Sequence, residues 1–128
     1  MKKYTITCTE EQLRLIADAV EDWTRFLSGQ TKLCNALNRL PLEESILARE
    51  ELRKVHKYVT PKLPQPASYG WSGAGCENER QRKAIAMGYG IYRQILHFLS
   101  IKNNLDNVYT SPTLTCEEQG ELIEIKEE

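Results

Sequence analysis

From Leu13 onward, apolar residues return every three or four positions: Leu13, Ile16, Ala17, Val20, Trp23 and Leu27, with polar residues between them. That step keeps one stripe of a helix apolar, so the spacing predicts an amphipathic α-helix with Trp23 in the core. Its start is marked by Thr9-Glu-Glu-Gln12, in which a hydroxyl and an amide can each satisfy an end group of the first turn. Gly29 suits the position just beyond the helix end. Leu33 and Leu37 fit the same pattern, so a longer helix stays open. Before this helix the pattern changes. Tyr4, Ile6 and Cys8 alternate with Lys3, Thr5 and Thr7, which predicts a short half-buried strand.

Pro41 fits the first turn of a second helix, lined by Leu42, Ile46, Leu52, Val55 and Val59 and covered elsewhere by mixed charge. His56 lies at its basic end beside Lys54 and Lys57, where a surface histidine fits better than a member of a cationic site. Three prolines from Thr60 to Pro66 stop the helix and predict a stiff loop. A third helix is predicted from the N-cap Asn78 through Ile85, Tyr89, Tyr92, Ile95, Leu96 and Leu99 to about Ser100. Gly88 and Gly90 each cost a helix interior about 1 kcal/mol. They predict a close neighbour, most simply another helix of this chain or of a second subunit. Arg93 and His97 follow Tyr89 at four-residue steps along one side. In the tail, Asn107 to Thr110, Leu114 to Cys116 and Leu122 to Ile125 have strand character, with breaks at Ser111-Pro112 and at Glu117 to Gly120. The pattern therefore predicts a mostly helical α+β fold in a single domain, 1–128. Three main helices would form a helical-hairpin arrangement with a small antiparallel sheet from the N- and C-terminal strands.

Composition narrows the partners. A net charge of −1 over 128 residues argues against a dedicated DNA binder, which carries a basic excess. No apolar run approaches the roughly 18 residues of a membrane span, and Met-Lys-Lys-Tyr-Thr-Ile-Thr-Cys lacks the apolar core of a signal peptide. The expectation is a cytoplasmic protein without a membrane partner. Cys8, Cys34, Cys76 and Cys116 form no close pair, which speaks for reduced thiols and against a metal site. Cys76 is a candidate reactive thiol, since nearby cations lower a thiol pKa.

The chemistry concentrates between Ala67 and Lys83: Ala-Ser-Tyr-Gly-Trp-Ser-Gly-Ala-Gly-Cys-Glu-Asn-Glu-Arg-Gln-Arg-Lys. Tyr69 and Trp71 offer flat aromatic faces, and glycines let a backbone approach a ligand. Arg80, Arg82 and Lys83 stand in the first turns of the third helix, against the macrodipole. An anion held at that helix end would reconcile them. A polar loop followed by a solvated helix face would give the same pattern. Tyr109, Thr110, Ser111 and Thr113 add hydroxyls suited to sugar or phosphate oxygens, or to an edge strand. The sequence holds no Gly-x-Ser-x-Gly elbow, Walker loop or His-Glu-x-x-His. Binding without turnover and without a cofactor is the expectation.

Three stretches carry a resemblance: Lys-Tyr-Thr-Ile-Thr-Cys-Thr-Glu-Glu-Gln-Leu-Arg-Leu-Ile-Ala, the Ala67 to Lys83 segment, and Asn-Val-Tyr-Thr-Ser-Pro-Thr-Leu-Thr-Cys. Together they resemble the first-described phage anti-Thoeris proteins, small sponges for the cyclic ADP-ribose isomers made by bacterial TIR-domain immune enzymes. The resemblance implies a helical homodimer, a hexamer as further assembly, and a small antiparallel sheet. It also implies sequestration of a cyclic ADP-ribose isomer such as glycocyclic ADP-ribose without cleavage, with cyclic di- or trinucleotides as further ligands. The ligand would hold its adenine on Tyr69 or Trp71 and its pyrophosphate on Arg80 with Arg82. Its riboses would lie against Asn78 and Tyr109 to Thr113, with Arg93 as a further cation. A degrading enzyme, a protein-interaction module and a small transcription regulator are the rival readings.

Overall fold

The computed structural model describes residues 2–60, 77–103 and 123–128. Among them five helices follow in order: α1 (Glu10–Leu27), α2 (Cys34–Leu37), α3 (Leu42–Arg53), α4 (His56–Val59) and α5 (Glu79–Lys102). α1 opens on the capping box read from the sequence. The Thr9 hydroxyl accepts the Gln12 N–H at 3.1 Å, and the Gln12 amide oxygen accepts the Thr9 N–H at 2.8 Å. It ends at Ser28, with Gly29 in the left-handed region at φ 89°, where a Cβ would be strained. The longer helix is thus excluded.

α1 and α5 run antiparallel. Thr24 meets Gly88, Ala17 joins Ile95 and Leu99 in the core cluster, and the Glu10 carboxylate accepts from Asn103 at 3.2 Å. Leu13, Ile16, Ile91, Leu96 and Phe98 pack around that cluster, as do Ile123 and Ile125 from the C-terminal segment. Gly88 needs its missing side chain. A β-carbon there would lie 2.1 Å from the Thr24 hydroxyl oxygen, so the close neighbour is a helix of the same chain. Trp23 departs from its expected place in the core and is 54 % exposed. The buried stripe of α1 runs through Ala17 and Thr24 instead, and Trp23 precedes Thr24 by about 100° around the helix.

Beyond Gly29 the chain turns back on α1 through a buried carboxylate. Leu33, left-handed at φ 46°, precedes α2 without a side-chain cap. Asp22 supplies that cap from α1, accepting the N–H groups of Asn35 at 3.1 Å and Ala36 at 2.8 Å. A carboxylate suits a helix start, whose first N–H groups lack intrahelical partners. The Asn35 amide also donates to Glu21 at 2.8 Å. The second predicted helix is divided. α3 stops at Arg53 and α4 resumes at His56, and of its expected apolar line Leu42 is 75 % and Ile46 is 48 % exposed.

The expected α+β fold with a sheet is overturned: no strand occurs among the described residues. Residues 2–9 are exposed throughout, with Tyr4 at 86 % and Ile6 at 74 %. Their alternation reported the chemistry of two sides and carried no information about a partner for the backbone. Ile123 does find a partner for both backbone groups, but it is the Gln94 side chain of α5. The other tail strands, at 107–110 and 114–116, lie outside the described residues.

Candidate functional site

α5 starts where the sequence places it. Asn78 caps it, its side-chain oxygen accepting the Gln81 N–H at 2.9 Å. Glu79 in the first turn pairs with Lys83 at 2.8 Å. That hydrogen bond, with the charges of Lys83 and Arg82, holds the Glu79 carboxyl below its ordinary value. One cation of the basic turn is therefore matched within the turn. Gln81, between the two arginines, donates its amide to Leu27 O at 2.8 Å and Val59 O at 3.0 Å. Both acceptors end a helix and have no partner within it. A single side chain thus fastens α1 and α4 to the first turns of α5.

The helix also decides which cations can act together. Arg80 and Arg82 are two residues apart, hence about 200° apart around the axis. They do not form one fork. Arg80 is exposed and Arg82 half-buried. By contrast, Tyr89 and Arg93 lie seven and eleven residues beyond Arg82, close to two and three full turns. Arg82, Tyr89 and Arg93 therefore share one face, with Arg93 about 16 Å along the axis from Arg82. On this face the Arg93 guanidinium stacks over the Tyr89 ring at 5.5 Å. Tyr89 in turn meets Tyr92 edge to face, with ring centroids 5.4 Å apart. Arg93 is only 9 % exposed, with its guanidinium against the Tyr89 ring.

Of the sequence-predicted site residues, Asn78, Arg80 and Arg82 occupy the start of α5, and Arg93 lies near its middle. Sequence adjacency grouped Arg80 with Arg82, whereas helical phase groups Arg82 with Arg93. Tyr89 belongs with them, a membership to which the seven- and four-residue steps already pointed. Tyr69, Trp71, Tyr109, Thr110, Ser111, Thr113 and Cys76 lie outside the described residues. His56 is exposed, with the Thr60 hydroxyl 3.3 Å from its ring. Cys8 and Cys34 are free and exposed. Among the described residues no group of three His, Cys, Asp or Glu side chains could hold a metal ion. No helix among them is long and apolar enough to cross a membrane. Compared with protein-family models, curated proteins and solved structures, the chain matches none.

Proposed function

We propose that this chain is a phage immune-evasion protein of the bacterial cytoplasm that binds a cyclic ADP-ribose isomer and sequesters it without cleavage. The observation that carries this reading is the Arg82–Tyr89–Arg93 face of α5, with a buried guanidinium stacked on a tyrosine ring. A cyclic ADP-ribose isomer presents one adenine, two riboses and a pyrophosphate. Guanidinium groups match phosphate oxygens in bidentate geometry, and aromatic or guanidinium planes take a base. Tyr69 or Trp71 would supply the adenine platform, and Asn78 with Tyr109, Thr110, Ser111 and Thr113 the ribose contacts. Cyclic di- or trinucleotides share the phosphate and base chemistry and are further ligands. Exposed Leu15, Trp23, Leu42, Ile46 and Leu47 support assembly into a homodimer and then a hexamer.

Calorimetric titration with a cyclic ADP-ribose isomer tests the reading, with Arg80→Ala and Arg82→Ala compared at two salt concentrations. A charge-assisted hydrogen bond contributes about 1.5–3 kcal/mol. Arg82→Ala should therefore weaken binding roughly 10- to 150-fold, and Arg80→Ala clearly less. The Arg82 effect should shrink as salt rises. Mass spectrometry of heat-released ligand should return it intact. Cleaved ligand would make the protein an enzyme. Absence of any thermal shift with any nucleotide would leave a protein-interaction module.

A further inference from the structure

The C-terminal segment lies along the last turns of α5 in a manner that reads as recognition of an extended peptide. Gln94 spans both backbone groups of one residue: its amide donates to Ile123 O at 2.5 Å, and its oxygen accepts the Ile123 N–H at 2.9 Å. This pair of bonds is indifferent to side chain, like one rung of a sheet. The next contacts do select. Ile123 and Ile125 pack against the Ala17–Ile95–Leu99 cluster, and Glu127 pairs with Lys102 at 3.0 Å. Ile123 and Ile125 are half-buried against the helix, while Glu124, Lys126 and Glu127 are exposed, Glu127 reaching Lys102 and Glu124 pairing with Lys126 at 2.9 Å. Beside the segment an open groove of about 580 Å³ continues along His97, Phe98 and Ile101.

We propose that the Gln94–Phe98–Lys102 face of α5 is a binding groove for an extended Ile-x-Ile-x-Glu peptide, filled here by the chain's own residues 123–127. The attachment is of the kind that exchanges: two hydrogen bonds, two half-buried isoleucines and one ion pair between partly exposed groups. Such a segment is retained in its own molecule by its tether, which supplies an effective concentration on the order of millimolar. When the tethered copy is unseated, the same segment of a second copy fits the same contacts. Gln94, Phe98 and Lys102 lie about 100° or more around the helix from Arg82, Tyr89 and Arg93, and the proposal does not depend on any nucleotide ligand.

The test uses the full chain carrying Ile123→Asp and Ile125→Asp, which cannot seat its own segment. A fluorescein-labelled peptide Ile-Glu-Ile-Lys-Glu-Glu, the sequence of residues 123–128, is titrated by anisotropy against this variant and the unaltered chain. The variant should bind the peptide at least about ten-fold more tightly than the unaltered chain, whose tethered segment competes. Adding Gln94→Leu should weaken that binding about 5- to 150-fold, the effect of losing two hydrogen bonds. The reordered peptide Ile-Ile-Glu-Lys-Glu-Glu should not bind. Equal binding of both peptides, or of both proteins, overturns the proposal. Hydrogen exchange at the Ile123 amide provides a reading that needs no aspartate variant. Gln94→Leu in the otherwise unaltered chain should speed it by the same factor, and unchanged exchange overturns the clasp.

Discussion

Replacing Gly88 by alanine sets two effects of opposite sign against each other, and the structure decides between them. In an unobstructed helix interior the change is worth about 1 kcal/mol of added stability, because alanine restricts the unfolded chain and favours the helix. Here the new methyl would stand 2.1 Å from Thr24 Oγ1, 3.2 Å from its Cβ and 3.3 Å from its Cγ2. Rotating Thr24 removes the oxygen but leaves the Cβ contact tight, and the residue is packed in the interior at 1 % exposure. The helices must part locally. Overpacking of this kind costs about 1–3 kcal/mol, and a contact short by more than 1 Å belongs at the upper end. We expect Gly88→Ala to be net destabilising by about 1–2 kcal/mol, lowering the Tm of a chain this size by roughly 3–10 °C.

The check is urea unfolding followed by circular dichroism, with Thr24→Ala and the double variant completing a cycle. Thr24 Oγ1 is buried without a hydrogen-bond partner, so its removal forfeits the methyl packing but relieves an unmet polar group. In the Thr24→Ala background the clash with Oγ1 and Cγ2 is gone, and the remaining 3.2 Å contact with Cβ asks only for a shift of a few tenths of an ångström. Gly88→Ala should there become neutral or stabilising by up to about 1 kcal/mol. A stabilising Gly88→Ala in the unaltered chain would refute the α1–α5 register.

Two further outcomes follow from polar contacts. Asp22→Asn leaves one carbonyl oxygen where two carboxylate oxygens accept from Asn35 and Ala36, and should destabilise by about 1.5–3 kcal/mol in urea unfolding; a loss within 0.5 kcal/mol, roughly that of an ordinary surface substitution, would show that the carboxylate does not hold α2. Glu79 has a folded pKa held below its ordinary value of 4.5 by Lys83, so its contribution is present above pH 4.5 and is lost as pH falls through the folded value. Thermal unfolding of Glu79→Gln should thus differ from the unaltered chain at neutral pH and converge with it in acid, and a gap that widens in acid would contradict the pairing.

α1 and α5 were legible in the sequence because each carries its own start signal. Thr9 with Gln12, and Asn78, fix helix starts through contacts three residues long, and Gly29 ends α1 through one backbone angle. Such signals do not depend on the rest of the chain. What could not be read depends on distant partners. Asp22 caps a helix that begins twelve residues later, and Gln81 joins carbonyls that are far away in sequence. Trp23 shows the limit of periodicity alone, since a stripe one residue wider than the buried one includes it. The sheet failed for a related reason. Alternation at Tyr4 and Ile6 describes two sides of a segment, whereas a strand is defined by the hydrogen-bond partner of its backbone.

The grouping of the arginines has the same origin and bears on what α5 does. Two arginines adjacent in sequence look like a fork, but a helix turns them about 200° apart and aligns residues seven and eleven positions on. α5 thereby serves two surfaces at once. One side lies against α1 so closely that Gly88 cannot carry a side chain, and another carries the half-buried Arg82 in line with the buried Tyr89 and Arg93. A helix held by a core on one side gives the cationic face little freedom to rearrange. Arg93 is buried against Tyr89, and Tyr89 against Tyr92. A ligand that meets ordered groups avoids an ordering cost of about 0.5–1.5 kcal/mol for each side chain that would otherwise have to be fixed. Tight capture without chemistry asks for this economy more than an enzyme does. A sequestering protein gains from every increment of ground-state affinity, whereas an enzyme that binds substrate and transition state equally well gains no rate from it.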